Sequence, residues 1–153
     1  MADKKRTFTT KQIVESIPRL TTRSASFLAD QGVIVPEIDP GSGRGKSRIY
    51  SEHNLNQFRI ASCLSALGMT INKIRFVIEY IDLNKIIREY EKTKLHEHDV
   101  QLFIKIYLTD EGKMKLNYAV QAGDPAAVTV NEISDYNEIV LINLGRIFAA
   151  AGE

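Results

Sequence analysis

The sequence predicts a mainly α chain that ends in a small α+β module, and three observations carry that prediction. Apolar residues repeat at helical spacing, with caps and stops, from Phe8 to Ile81. A basic, glycine-rich loop, Pro40-Gly41-Ser42-Gly43-Arg44-Gly45-Lys46-Ser47-Arg48, interrupts that pattern. After Val100 the period changes to strict alternation. Two helices around Leu20-Thr21-Thr22, followed by a basic loop between short strands, are the order of a winged helix-turn-helix. The expected organisation is a winged helix-turn-helix domain over 1–81, a helix and linker over 82–99, and an α+β module over 100–153.

Thr9 or Thr10 caps a first helix with Ile13, Val14 and Ile17 inward, and Pro18 lies near its end, where a helix interior would not tolerate it. A second helix starts from a Thr21 or Thr22 cap, buries Ala25, Leu28 and Ala29, and stops at Gly32, a residue that takes the left-handed conformation freely. Arg23, Ser24, Ser26 and Phe27 are then left for its outer face. An aromatic in the C-terminal half of a helix is nevertheless more often core, and that is the expectation for Phe27.

Val33-Ile34-Val35 reads as a short strand with Arg48-Ile49-Tyr50 as its partner. Residues 1–7 are polar and expected to fray. Ser51 and Asn54 form a partial capping box, since Glu or Gln is the usual third-position partner. The helix that follows turns Leu55, Phe58, Ile60, Ala61, Leu64 and Leu67 inward and ends at Gly68. Thr70 caps the next, whose pattern can be followed through Ile81 and on to Tyr90.

Val100 to Leu108 and Met114 to Val120 alternate around the turn Asp110-Glu111-Gly112-Lys113, which predicts a β-hairpin. Ala127 to Val130 is a candidate third strand. Tyr136 to Ala151 reads as a closing helix with Ile139, Ile142, Ile147 and Phe148 apolar.

Composition narrows the class. The 153 residues are 44% hydrophobic and 25% charged, ordinary for a soluble globular protein, and no apolar run reaches the ~18 residues a membrane span needs. Lys4, Lys5 and Arg6 precede no apolar segment, so no signal peptide is expected. One cysteine, Cys63, fits a reducing cytoplasm. The net charge of +1 hides an asymmetry: residues 1–81 carry 12 Lys/Arg against 7 Asp/Glu, a net of +5, while 82–153 carry 8 against 12, a net of −4. The basic half is the one suited to a polyanion.

The first half resembles the MerR family of bacterial transcription regulators. The resemblance rests on Phe8-Thr9 and Gln12, then Thr21 and Arg23-Ser24, then Gly32-Val33-Ile34 and Pro36 against the family's Gly-Leu-Ile-x-Pro. Arg48, Tyr50-Ser51 and Leu55 follow the family's Arg-x-Tyr-Ser-x-x-Asp-Leu with Asn54 in place of Asp, and Gly68, Thr70 and Ile74 follow its fourth helix. It covers roughly 8–81. The chain departs from the family in the recognition helix, where Ser26, Phe27 and Leu28 replace a second arginine and aromatics, and in a longer loop reading Lys46-Ser47-Arg48.

The resemblance implies double-stranded DNA as ligand, a homodimer on promoter DNA, and RNA polymerase at the promoter as a further partner, with no membrane role. The candidate DNA-contacting residues are Thr22, Arg23, Ser24, Ser26, Phe27, Arg44, Lys46, Arg48, Tyr50 and Lys73, with Arg75 beside the last. Recognition-helix residues meet base edges in the major groove, and the loop cations hold phosphate. An architectural, excisionase-like DNA-bending factor without an effector, or a protein-interaction module with an acidic partner, are the alternatives.

No enzyme is expected. Neither a nucleophile–base pairing, a glycine-rich phosphate loop after a strand, nor an HExxH helix occurs. No cofactor is expected either. Cys63 reads as a small buried thiol, His96 and His98 as residues of a solvated linker, and His53 as exposed. Any effector is accordingly expected to be organic or a protein rather than a metal ion or redox signal.

Overall fold

The computed structural model describes residues 5–43, 45–94, 100–122 and 137–148. The chain divides into two compact units, Met1–Glu79 and Tyr80–Glu153. The described residues form six helices and two small antiparallel sheets.

The first unit holds β1 (Thr7–Thr9), α1 (Thr10–Ser16), α2 (Thr22–Asp30), β2 (Ile49–Ser51), α3 (Glu52–Ala66) and α4 (Ile71–Tyr80). Three of its helices open with reciprocal caps. Thr9, Thr21 and Ser51 each accept the backbone N–H three residues on, and the side chains of Gln12, Ser24 and Asn54 return the favour to the cap's own N–H. The Ser51–Asn54 pair is thus a complete capping box. The turn between α1 and α2 buries Ile17 and Leu20, and the non-glycine Arg19 between them takes a φ of 67°. That left-handed conformation costs about 1 kcal/mol, and burial of its two neighbours opposes it. Ile13, Ala25, Ile34, Phe58, Leu64 and Val77 complete a continuous core.

Val33–Val35 is not a strand. The Val33 and Ile34 N–H groups both turn back to the Leu28 carbonyl, at 3.0 and 3.3 Å, and Gly32, at φ 68°, donates to Ala29. These bonds close the C-terminus of α2 and leave the segment without ladder partners, while Pro36 has no N–H to offer. The partner of β2 is instead β1, with Phe8 opposite Tyr50. Three residues are too few to show alternation, which is why the N-terminal strand was invisible among polar residues.

Asn54 is 1% exposed and organises the chain that leads to the loop. Its Oδ1 accepts from Glu37 N–H at 2.9 Å and Ser51 N–H at 3.2 Å. Its Nδ2 donates to the Val35 carbonyl at 3.0 Å and to Gln57 Oε1 at 2.9 Å. The orientation of the amide is fixed, because backbone N–H groups only donate and a carbonyl only accepts.

In the second unit α5 (Leu83–Thr93) precedes β3 (Val100–Leu108), β4 (Met114–Ala122), β5 (Asn137–Asn143) and α6 (Leu144–Phe148). The helical pattern after α4 breaks at Asp82, whose carboxylate caps α5 through Lys85 N–H at 3.0 Å and whose own N–H donates to the Tyr118 hydroxyl at 3.0 Å. The sheet order is β4-β3-β5. The hairpin turns at Gly112, φ 75°, in the register Leu108↔Met114. Val100, Leu102, Ile104 and Ile106 are buried on one face of β3, and α5 packs against β3 and β4 with Leu83, Ile86 and Tyr90 buried.

The expected closing helix over Tyr136–Ala151 is mostly wrong. Asn137–Asn143 is a strand paired to β3, with Ile142 opposite Leu102 and Val140 opposite Ile104. Ile139-Val140-Leu141-Ile142 satisfies both periods, and the open edge of β3, together with two β-branched isoleucines and a valine, decides for the strand. The helix begins only at Leu144, where Asn143 Oδ1 accepts Arg146 N–H at 3.2 Å. The candidate strand Ala127–Val130 lies outside the described residues.

Replacing Asn54 by Ala strands two backbone donors and one acceptor. It should lower the unfolding free energy by about 2–4 kcal/mol in urea melts of the whole chain.

Candidate nucleic-acid interface

One turn of α2 after another presents the residues expected on its outer face. Thr22 and Arg23 are exposed, Ser26 is half-buried, and Phe27 is 49% exposed. The expectation that Phe27 is core is therefore corrected: Ala25 and Leu28 turn inward, and the 100° step of a helix puts residue 27 outside. Thr21, Arg23, Ser24, Ser26, Phe27 and Asp30 line one shallow concavity. Ser24 is less available than its neighbours. Its hydroxyl meets Thr21 N–H at 3.0 Å, Thr21 Oγ1 at 2.9 Å and the Thr21 carbonyl at 3.1 Å, so it is engaged in the helix cap.

A second concavity joins the start of α2 to the loop that follows it. Thr9, Thr10, Lys11, Thr22, Gly41, Lys46, Ser47 and Arg48 line it. Lys46 is exposed. Lys11 lies 3.9 Å from Glu15, an exposed i,i+4 pair of little consequence. Two ammonium groups and the N-terminal end of α2, where the dipole is positive and backbone N–H groups are free of helix partners, make this groove attractive to an anion. Lys11 and Ser47 were not singled out from the sequence, because neither lies at a position that periodicity marks.

Arg48 differs from Lys46. It is half-buried, and its guanidinium is bonded to the Asp30 carboxylate at the end of α2. That bond is the main reason its pKa is raised above the ordinary arginine value, with burial working against it. Tyr50 is fully buried, edge-on to Phe58 with ring centroids 5.1 Å apart, and so offers no surface to a ligand. The expectation that it contacts DNA is corrected on that ground: β2 turns residue 50 into the core between the half-buried ends of the strand. Burial raises its pKa, opposed by Thr10 and Arg48, and its hydroxyl makes no hydrogen bond of normal geometry among the described residues.

Lys73 is half-buried in the first turn of α4, where its backbone N–H meets Thr70 Oγ1 at 3.4 Å. Arg75 reaches across instead. It donates to the Gln31 carbonyl at 2.9 Å and to Asn72 Oδ1 at 3.0 Å, so it covers the C-terminal end of α2, whose last turn has no basic residue of its own. Arg44 lies outside the described residues, as do His96 and His98. His53 is half-buried rather than exposed, and Cys63 is half-buried with its thiol pKa pushed up by burial. Among the described residues no three metal-ligating groups converge, and no helix is long and apolar enough to cross a membrane.

A helix, a tight turn, a second helix with an exposed polar face, and a basic loop at its flank define a helix-turn-helix domain. Residues 8–81 match the model of the MerR HTH family regulatory protein, and this part of the chain belongs to that family, whose members bind DNA and regulate transcription. No curated protein matches the chain.

Because Tyr50 is enclosed and its hydroxyl makes no hydrogen bond of normal geometry among the described residues, Tyr50→Phe should change the unfolding free energy by less than about 1 kcal/mol. It should also leave nucleic-acid affinity unchanged. Thermal melts and a titration with duplex DNA check both halves.

Proposed function

We propose that the protein is a sequence-specific regulator of transcription that binds promoter DNA as a homodimer through a winged helix-turn-helix. The supporting observation is that the exposed face of α2 and the groove carrying Lys46 both flank the same helix. In this reading α2 enters the major groove. Arg23 addresses a guanine edge or a phosphate, Ser26 donates to a base, and Phe27 packs on a thymine methyl. Thr22, with the N-terminal N–H groups of α2, and Lys46, with Arg44, hold the backbone. Ser24 acts by shaping the cap, and Lys73 is the remaining candidate phosphate contact on α4.

A single helix-turn-helix reads a short site. Two copies on adjacent half-sites multiply both affinity and specificity, and the two-fold symmetry of the protein then matches that of the operator. We assign dimerisation to the C-terminal unit. It is small, and a module of that size buries little of its own apolar surface unaided. Promoter action brings RNA polymerase within reach as a further partner.

Arg23→Ala should weaken specific binding by about 1–3 kcal/mol and relax the sequence preference, whereas Lys46→Ala should weaken all sequences alike and reduce the salt slope by about one unit. Gel shifts on selected and scrambled duplexes separate the two. A protein unaffected by both changes binds in some other way.

A chain ending near Ile81 should sediment as a monomer. A dimer of undiminished affinity from that shortened chain places the interface in the first unit.

A further inference from the structure

We infer that Asp30 and Arg48 form a latch that fixes the described loop residues 45–48 against the end of α2, and that Arg48 positions them rather than contacting phosphate. The inference rests on the DNA-binding reading above for its consequences, and on the fold alone for its geometry.

Asp30 is an anomaly. A carboxylate at the C-terminal end of a helix opposes the dipole, and one on a DNA-facing surface repels phosphate. Among the described residues its one compensating cation is the guanidinium of Arg48. The loop is built around that contact. Its base is closed by two backbone bonds between Asp39 and Ile49, at 2.9 and 3.1 Å. The Asp39 carboxylate then accepts Gly41 N–H at 2.9 Å. Gly41, at φ 67°, brings the entering chain onto the leaving one so closely that an added Cβ would stand 3.0 Å from the Cγ and the backbone nitrogen of Arg48. The stem of Arg48 is therefore clasped by the loop while its head is held by α2. A side chain anchored at both ends is committed. Lys46, two residues before it and exposed, is carried on the segment so fixed.

The latch makes a prediction opposite in sign to simple electrostatics. Asp30→Ala removes a negative charge from the interface and relieves the helix dipole, so the protein should be no less stable. It should nevertheless bind operator DNA about fivefold more weakly, the upper range for an exposed pair. Arg48→Met should weaken binding by a similar factor with an unchanged salt slope, where a lost phosphate contact would lower the slope by about 0.9. The double variant should be no worse than either single one, since both remove the same contact. Arg48→Lys, still able to reach Asp30, should restore most of the affinity. A second arm needs no DNA: in the free full-length protein, Asp30→Ala should speed tryptic cleavage after Lys46 severalfold. Tighter binding by Asp30→Ala, a reduced slope for Arg48→Met, or unchanged cleavage after Lys46 overturns the latch. Faster cleavage together with a wild-type protein that binds no duplex upholds the latch and overturns the DNA-binding reading instead.

Discussion

The buried amide of Asn54 is the constraint on which the first unit turns. It lies at the start of α3, yet three of its four bonds are made to the backbone around it, to residues 35, 37 and 51. Through them the chain leaving α2 is tied to the chain entering α3, and the loop between the two is left with fixed ends. Carboxylate is the residue of the resembling family at this position, and it would serve the Glu37 and Ser51 N–H groups equally well. It has no hydrogen to give the Val35 carbonyl. The amide satisfies donor and acceptor together, without burying a charge, which at this depth is the costlier choice.

With the ends of the loop set, the rest of the surface follows from how α2 is finished. Its C-terminal end carries an aspartate and no cation of its own, and cations from elsewhere complement its last carbonyl and its carboxylate. Arg75 comes from α4 to the Gln31 carbonyl, and Arg48 comes from the loop to Asp30. Each contact is half-exposed and individually modest. Together they bind two separate pieces of chain, α4 and the loop, to one end of one helix. They also sort the cations of this unit: Arg48 and Arg75 are occupied internally, whereas Arg23 and Lys46 stand exposed on the two concavities that flank α2.

The sequence made the helices of the first unit legible because each carries its own local signals. Thr9, Thr21 and Ser51 announce α1, α2 and α3 by side chains that bond three residues away, and Gly32 and Gly68 end two of them at positive φ. The hairpin was legible for the same reason, with its alternation and turn within one short stretch. What depended on distant partners was not. The pairing of Thr7–Thr9 with Ile49–Ser51 joins residues some forty positions apart, and Val33–Val35 looked the better strand until the Leu28 carbonyl claimed its N–H groups. Ile139 to Ile142 fits a helix or a strand equally by period, and the open edge of β3 chose between them. In the candidate site, composition pointed to the right loop but gave Arg48 and Lys46 the same weight. The carboxylate that distinguishes them is eighteen residues from Arg48 in sequence.

That distinction bears on how such a surface reads DNA. A glycine-rich loop is ordinarily flexible, and ordering it on binding costs conformational entropy for every residue immobilised. Here one glycine serves close approach as much as freedom: Gly41 takes a left-handed turn in which a larger residue would be strained and would crowd the Arg48 backbone and side chain. A loop whose stem is closed by Asp39 and Ile49, and whose returning end is pinned to α2 through Arg48, holds Lys46 near that helix. Phosphate contacts carry no sequence information themselves, yet they fix the register in which base-reading side chains meet the groove. In the proposed reading, specificity at Arg23, Ser26 and Phe27 would depend on residues that never touch a base, because a helix free to rock against its backbone contacts would sample several registers and discriminate among none. In this fold the internal ion pair and the buried amide are the parts that remove that freedom.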